Sequence, residues 1–295
     1  MSNFTWSETF ISLEGEFLFQ GCPTLYIRFS GCNFTCQGFN NPDNLELTNE
    51  VLGFNPKDIK NIKEMPLITK GCDSLYAHDK RFKHLWHKGD ENDLANEVFQ
   101  LLPKQMQENN SWNHPVTQQP YILSLTGGDP ILNWKKIPTL LNHPLFDTLQ
   151  LVLIENNCSI KFDVQFIQQL NEWIDKLPGR KIIWANSPKL TASGEPFSKA
   201  IIPEIAKMQR LTKNYIQYFK FVAGPRIADF DEIDYVSSLY RNCICDKIII
   251  GVMPEACTAD QQNEIAKQVA EMCIQRGYIY VARLQNYLWS NEVGT

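Results

Sequence analysis

Two cysteines near the N-terminus have a spacing that suits a metal. Cys32 and Cys36 stand four positions apart, directly after a short β-rich run at residues 24–29. Thiolates on a loop of this kind can bind a soft metal ion or an iron–sulfur cluster. The chain has nine cysteines in all, and we expect most of them to be small buried apolar residues. Cys243 and Cys245 belong with these, because no second pair lies near them in the sequence.

A glycine-rich motif also has chemical potential. Thr126-Gly127-Gly128-Asp129-Pro130 follows a strand-like run at residues 121–125. Two glycines at the C-terminal end of a strand let the backbone approach a ligand closely. Either motif alone is a weak signal, since a pair of cysteines often has no shared function and a glycine pair is more often a tight turn.

The segments that must position these motifs alternate between strand-like and helix-like patterns. Further strands are predicted at residues 149–154, 181–185, 216–222, 247–252 and 278–282. Helical patterns lie between them, one opened by the cap residue Asp163 and another running from Thr258 to Gly277. Such alternation predicts βα units with a parallel sheet. The count is about seven strands, which favours an open or partial barrel over a complete eight-fold one.

Composition excludes several classes of protein. The 28 basic and 33 acidic residues give a net charge of −5, which argues against electrostatic wrapping of nucleic acid, since that needs a basic face. No apolar run approaches the roughly 18 residues of a membrane-spanning helix. The first residues lack the pattern of a secretory signal, so we expect a cytoplasmic protein whose thiols stay reduced. Residues 37–71 are rich in Asn, Asp, Lys and Pro and are predicted to form a surface insertion.

The two motifs, in this order, resemble the radical S-adenosylmethionine superfamily and, more narrowly, its 7-carboxy-7-deazaguanine synthase family. That superfamily places a CxxxCxxC motif after its first strand, where the three cysteines hold a [4Fe–4S] cluster. Here Phe39 occupies the third position. The resemblance supplies Cys72 instead, because Cys72-Asp73-Ser74 is similar to the CDT segment of the synthases. We therefore expect a single α/β domain over residues 1–295, a partial (β/α) barrel with residues 37–71 inserted between the second and third cluster cysteines.

The resemblance extends along nearly the whole chain. It includes the segment 12–16 with Arg28, the Ser187-Pro188-Lys189 motif, the Lys220-Phe221-Val222 strand, Pro254 and the C-terminal segment 288–295. Five positions depart from the family, which has Gln at Glu14, Glu at Asp129, Thr at Ser74, His at Gln285 and, in many relatives, an aromatic residue at Gly71. The changes at Glu14 and Gln285 bear most on substrate choice, and an ionised Glu14 would be an acceptor only, where Gln both donates and accepts.

The resemblance implies a lyase of 7-deazapurine biosynthesis. The reduced cluster would cleave S-adenosyl-L-methionine, and the resulting radical would convert 6-carboxy-5,6,7,8-tetrahydropterin to 7-carboxy-7-deazaguanine by ring contraction with loss of ammonia. The product would serve transfer-RNA queuosine or a DNA modification. Mg²⁺ would orient the substrate, and an electron donor such as flavodoxin or ferredoxin would reduce the cluster. The chain could act as a homodimer.

The family roles map onto individual residues. Cys32, Cys36 and Cys72 would hold the cluster, and Ser74 would bind Mg²⁺. The expected substrate-binding residues are Leu13, Glu14, Gly15, Glu16, Arg28, Thr126, Gln285 and Thr295. The expected S-adenosylmethionine-binding residues are Gly128, Asp129, Glu155, Ser187, Pro188, Lys189 and Pro254. No catalytic residue is expected beyond the cluster ligands.

Two other functions remain open at this point. A radical S-adenosylmethionine activase, which makes a glycyl radical in a partner protein, would share the cysteine loop but lack the Ser187-Pro188-Lys189 motif. A non-catalytic zinc protein would use the same cysteines and normally needs a fourth His or Cys ligand. At residue level, Arg28 could simply pair with a carboxylate of the scaffold, and Glu155 could be a polar strand end.

Overall fold

The computed structural model describes residues 3–41, 43–290 and 292–295, so Asn291 of the C-terminal motif lies outside the described residues. These residues form nine strands in one sheet. The strands are β1 (Phe4–Leu13), β2 (Pro23–Phe29), β3 (His87–Gly89), β4 (Ile122–Gly127), β5 (Leu151–Asn156), β6 (Lys181–Asn186), β7 (Tyr215–Ala223), β8 (Ile249–Pro254) and β9 (Ile279–Tyr280). Their order is β3-β1-β2-β4-β5-β6-β7-β8-β9. β3 and β9 lie at opposite ends, so the sheet is open and the predicted partial barrel is confirmed.

Seven of these strands, β2 and β4 to β9, are parallel, and their helices follow the predicted alternation. The helices are α1 (Asn49–Leu52), α2 (Leu75–His78), α3 (Glu91–Phe99), α4 (Lys104–Glu108), α5 (Ile137–Leu141), α6 (Val164–Asp175), α7 (Phe197–Ala200), α8 (Pro203–Gln209), α9 (Ile227–Ile244), α10 (Ala259–Arg276) and α11 (Leu284–Trp289). Asp163 caps α6 and Thr258 caps α10, as the sequence predicts. None of the described helices is long and apolar enough to cross a bilayer.

The sequence-based assignment misses the N-terminal edge of the sheet. β1 pairs antiparallel with β2 on one side and with β3 on the other. Its residues alternate only in part, and β3 is three residues long, so neither gives a strong strand signal. At the other edge, the strand predicted at 278–282 is only two residues long. Edge strands are shorter because one side has no partner to extend the ladder.

The core lies on both faces of the sheet. Leu123, Ile154 and Trp184 belong to the large apolar cluster that packs the sheet against its helices. Ile122 and Ile183 face the other way, into a smaller cluster inside the curved sheet with Tyr218 and Phe17. The alternation along each strand therefore fills both faces. Polar residues are concentrated at the C-terminal ends of the parallel strands, where a site can form.

The insertion is more structured than its composition predicts. Its base is closed, because the Gly71 N–H donates to the Phe39 carbonyl at 2.7 Å. Within it, Leu47 and Ile68 are buried in a small apolar cluster with Leu75 of α2. The chain therefore leaves the barrel at Phe39 and returns beside the same residue.

Candidate active site

A cavity of about 370 Å³ opens at the C-terminal ends of the parallel strands. Most of the site residues predicted from the sequence line it: Cys32, Cys36, Cys72, Ser74, Glu14, Glu16, Arg28, Thr126, Gln285, Thr295, Gly128, Glu155, Ser187, Lys189 and Pro254. Leu13, Gly15, Asp129 and Pro188 are not among the lining residues. Segments far apart in the sequence are thus brought to one cavity.

Neighbouring loops hold the cysteine segment in place. Cys36 has a positive φ of 47°, in the left-handed region. One oxygen of Glu195 accepts the backbone N–H groups of Thr35 and Cys36, at 2.7 and 2.8 Å. The N–H of Phe34 points at the Cys32 sulfur at 3.4 Å. These contacts fix the turn that presents Cys32 and Cys36 to the cavity.

The arrangement of the three thiols bears on which metal group they could hold. In the described part of the chain, no group of three His, Cys, Asp or Glu side chains is placed to hold one metal ion. Zinc needs its ligands at about 2.0–2.3 Å from a single point, whereas a [4Fe–4S] cluster takes each cysteine on a separate iron. Burial raises the pKa of Cys32 to about 12 and that of Cys36 to about 11. The positive charge of Lys189 opposes this rise at both, so it is close enough to favour bound thiolates.

The glycine motif locks the loop after β4 against the cysteine loop. A Cβ atom on Gly127 would lie 2.1 Å from the Phe29 carbonyl oxygen, and one on Gly128 would lie 2.0 Å from that of Gly31. Gly127 also has a φ of +122°. Only glycine permits this approach. The close neighbour is thus the cysteine loop itself, which explains the two glycines without reference to a ligand.

Asp129 has a structural position behind this loop. Its oxygens accept the backbone N–H groups of Ile131 and Asn157, at 2.9 and 2.8 Å. Burial raises its pKa to about 6, although these two hydrogen bonds oppose the rise. Asp129 therefore ties the loops after β4 and β5 together, and its contact with S-adenosylmethionine stays a prediction.

A charged cluster forms one wall of the cavity. Lys220 of β7 pairs with Glu16, and its Nζ lies 3.8 Å from Glu155 of β5. Arg283 donates to Asp73 at 2.7 Å and lies 3.4 Å from Glu16. Burial alone would raise the pKa of Glu16, but Lys220 and Arg283 outweigh it and lower the pKa overall. Glu16 is therefore an ionised acceptor.

Arg28 sits on the wall nearest Ser74. It donates through Nε to Glu8 at 2.7 Å and through Nη1 to the Ser74 hydroxyl at 3.0 Å. Its guanidinium lies over the rings of Phe10 and Tyr76. Glu8 faces it directly across the β1–β2 pair. Arg28 thus pairs with a carboxylate of the scaffold, which is the structural role considered in the sequence analysis. It also lines the cavity.

The remaining predicted residues are Leu13, Gly15 and the Ser187-Pro188-Lys189 motif. The carbonyl of Leu13 accepts from Tyr26 and Gln285, and that of Gly15 accepts from Leu284, so both are used within the protein. In the Ser187-Pro188-Lys189 motif, Lys189 Nζ lies 3.3 Å from the Ser187 hydroxyl. Pro188 is buried behind them.

Comparison with known proteins agrees with this geometry. No protein-family model matches the chain. A 7-carboxy-7-deazaguanine synthase from Rhodopirellula baltica is 25% identical over 298 residues, which cover 98% of this chain and 88% of that protein. The chain is therefore similar to a 7-carboxy-7-deazaguanine synthase over nearly its whole length. The crystal structure of QueE from Escherichia coli has the same fold, with a TM-score of 0.51 at 16% identity, covering 96% of this chain and 94% of that one. The prediction of an enzyme, a lyase, is confirmed.

Five residues in or beside the cavity have no role in the sequence-based assignment: Glu8, Asp73, Tyr76, Lys220 and Arg283. Glu8 could be found only by pairing β1 with β2. Lys220 did carry a signal, because it is a charged residue within an apolar strand and such residues are rarely buried without a partner. The family resemblance drew attention to its strand but assigned it no role.

Proposed function

We propose that this chain converts 6-carboxy-5,6,7,8-tetrahydropterin to 7-carboxy-7-deazaguanine, with a [4Fe–4S] cluster and S-adenosyl-L-methionine. The convergence of three cysteines supports this most strongly. Cys72 enters the cavity beside Cys32 and Cys36 because the inserted segment closes on itself between Phe39 and Gly71. A cluster site needs a third cysteine ligand, and Cys72 is in a position to be that ligand although it is far from Cys36 in the sequence. A cysteine without a shared function would not be expected to face the same cavity.

The cysteine side of the cavity would hold the cofactors. Bound there, the cluster and S-adenosyl-L-methionine supply a 5′-deoxyadenosyl radical. Ser187 and Lys189 would contact the cofactor from the loop after β6, and Pro254 from the end of β8. The backbone of Gly128, held against the cysteine loop, would contact its amino group.

The charged side would hold the substrate. Glu16 would accept N–H groups of the pterin ring, and Lys220 and Arg283 would keep it ionised. Arg28 would bind the substrate carboxylate, because a guanidinium fork matches a planar anion. The Ser74 hydroxyl, in contact with Arg28, would place Mg²⁺ near the same carboxylate. Thr126, Gln285 and Thr295 complete this wall.

The reaction test is anaerobic reconstitution with iron and sulfide, followed by incubation with S-adenosyl-L-methionine, Mg²⁺, dithionite and the carboxypterin. We expect 7-carboxy-7-deazaguanine by mass spectrometry, with no net loss of S-adenosyl-L-methionine. Cofactor cleavage to 5′-deoxyadenosine without this product would indicate a radical enzyme with another substrate. A colourless protein that binds only zinc would contradict the proposal.

In the cell, a reductant such as flavodoxin or ferredoxin would replace dithionite. We place the enzyme in the cytoplasm, where such reductants and reduced thiols are found. Replacing dithionite by a flavodoxin system tests this step, with product formation as the readout. A homodimer remains a proposal that analytical ultracentrifugation would check.

A further inference from the structure

We propose that Glu14 is a neutral carboxylic acid in the folded enzyme, which donates its proton to Tyr26 and offers the substrate ring an uncharged acceptor. The role in substrate recognition rests on the proposed function. The protonation state does not, because it follows from the contacts of Glu14 within the protein.

The first argument is a count of hydrogens. The Tyr26 hydroxyl lies 3.2 Å from the Leu13 carbonyl oxygen and 3.1 Å from Glu14 Oε2. Tyrosine has one hydroxyl hydrogen, so it can donate to only one of these oxygens. If Glu14 were ionised, the Tyr26 hydroxyl oxygen would contact either the Leu13 oxygen or Glu14 Oε2 with no hydrogen between the two atoms. A proton on Glu14 Oε2 satisfies both, since Glu14 then donates to Tyr26 and Tyr26 donates to Leu13.

The second argument is a count of charges. Three carboxylates, Glu14, Glu16 and Glu155, surround the single ammonium of Lys220. Lys220 pairs with Glu16 and approaches Glu155, and Arg283 is shared between Glu16 and Asp73. Within the described part of the chain, no cation forms an ion pair with Glu14. An ionised Glu14 would therefore be a buried charge without a counterion, which is strongly unfavourable.

The electrostatics agree with both counts. Burial, and then the charge of Glu155, raise the pKa of Glu14 to about 8, although Lys220 opposes them. The titratable groups around it are Cys22, Tyr26, Glu16, Glu155, Tyr218 and Lys220. The one O–H of the neutral acid is donated to Tyr26, so Glu14 keeps only acceptor capacity, on its carbonyl oxygen, for a ligand. That oxygen would accept an N–H group of the substrate ring, beside the ionised Glu16, without adding a second negative charge opposite an anionic substrate.

The protonation state is tested first, without substrate, by infrared difference spectroscopy of the reconstituted enzyme against Glu14→Gln at about pH 7. We expect Glu14→Gln to lose a protonated-carboxyl band. An unchanged band would overturn the proposal. Asp129→Asn is the control, because Asp129 is the other buried carboxyl with a raised pKa. Glu155→Gln provides a second variant, and should move the titration of the band to lower pH by removing a neighbouring charge.

Recognition is tested by the pH dependence of KM for the carboxypterin. Ionisation of Glu14 with a pKa of about 8 predicts a rise of about tenfold in KM between about pH 7 and pH 9. Glu14→Gln cannot ionise, so its KM should lose this rise. If the infrared band is lost but the KM profiles of both proteins coincide, Glu14 is neutral but does not read the substrate, and that part is overturned. If neither protein makes product, the proposed function fails, while the infrared result still decides the protonation state.

Discussion

Removing the charge of Arg28 separates its structural role from its role in substrate binding. We consider Arg28→Met, which keeps an apolar stem of similar length, and Glu8→Gln, which keeps the shape of its partner. The pair is well buried, with 16% of the Arg28 side chain and 8% of the Glu8 side chain exposed. Arg28→Met leaves Glu8 charged, with the Tyr76 hydroxyl at 2.9 Å as its remaining side-chain donor.

The two single variants should differ in cost. Leaving a buried carboxylate unpaired costs about 3–5 kcal/mol of folding free energy. Glu8→Gln should cost less, about 1–3 kcal/mol, because Arg28 keeps Ser74 and the faces of Phe10 and Tyr76. The double variant has no unpaired charge. Its loss of folding free energy should therefore be smaller, by about 2–3 kcal/mol, than the sum of the losses in the two single variants.

Urea unfolding at neutral pH measures these free energies, and equal m-values would show that the unfolding transition is comparable. Additive losses would refute the coupling of Arg28 to Glu8. The double variant then isolates the substrate clamp, since it restores much of the stability but not the guanidinium. We expect its affinity for the carboxypterin to fall by about 2–4 kcal/mol, while uncoupled cleavage of S-adenosyl-L-methionine persists. Parental affinity in the double variant would refute the clamp.

Three further predictions concern the metal sites and the insertion. Cys32→Ala, Cys36→Ala or Cys72→Ala should each abolish stable iron binding, while Cys243→Ala and Cys245→Ala retain it; full iron content in Cys72→Ala would refute the displaced ligand. A variant that lacks residues 40–72 and carries Phe39→Cys should still bind iron, because the insertion closes at Phe39. Iron and sulfide analysis measures this, and loss of folded protein would contradict the prediction. Ser74→Ala should weaken Mg²⁺-dependent turnover and Ser74→Thr should maintain it, whereas equal rates would exclude Ser74 as a Mg²⁺ ligand.

The parallel part of the fold was predictable because its signals are local. A buried strand such as residues 181–185 and a helix cap such as Asp163 can each be recognised from a few neighbouring residues in the sequence. β1 was not predicted, and the Glu8–Arg28 pair was missed with it, because the pair depends on strand register. The same limit applies to Asp129, whose position behind the loop depends on the Asn157 N–H of the next loop. The sequence and the family resemblance thus predicted most of the residues that line the cavity, but not the side-chain pairs that hold them in place.

The displaced cysteine illustrates why a fixed motif spacing is not a physical requirement. Extending the loop between two cluster ligands from two residues to about 35 adds about 2–3 kcal/mol of closure entropy, since this cost grows only with the logarithm of loop length. Burying one large aliphatic side chain contributes about 1.5–3 kcal/mol, and the insertion buries both Leu47 and Ile68. Its closed base then fixes where the chain returns, so Cys72 is positioned by the Phe39–Gly71 hydrogen bond and not by the length of the segment between. The geometry of the cluster site is therefore compatible with an insertion of almost any length that closes at the same two residues.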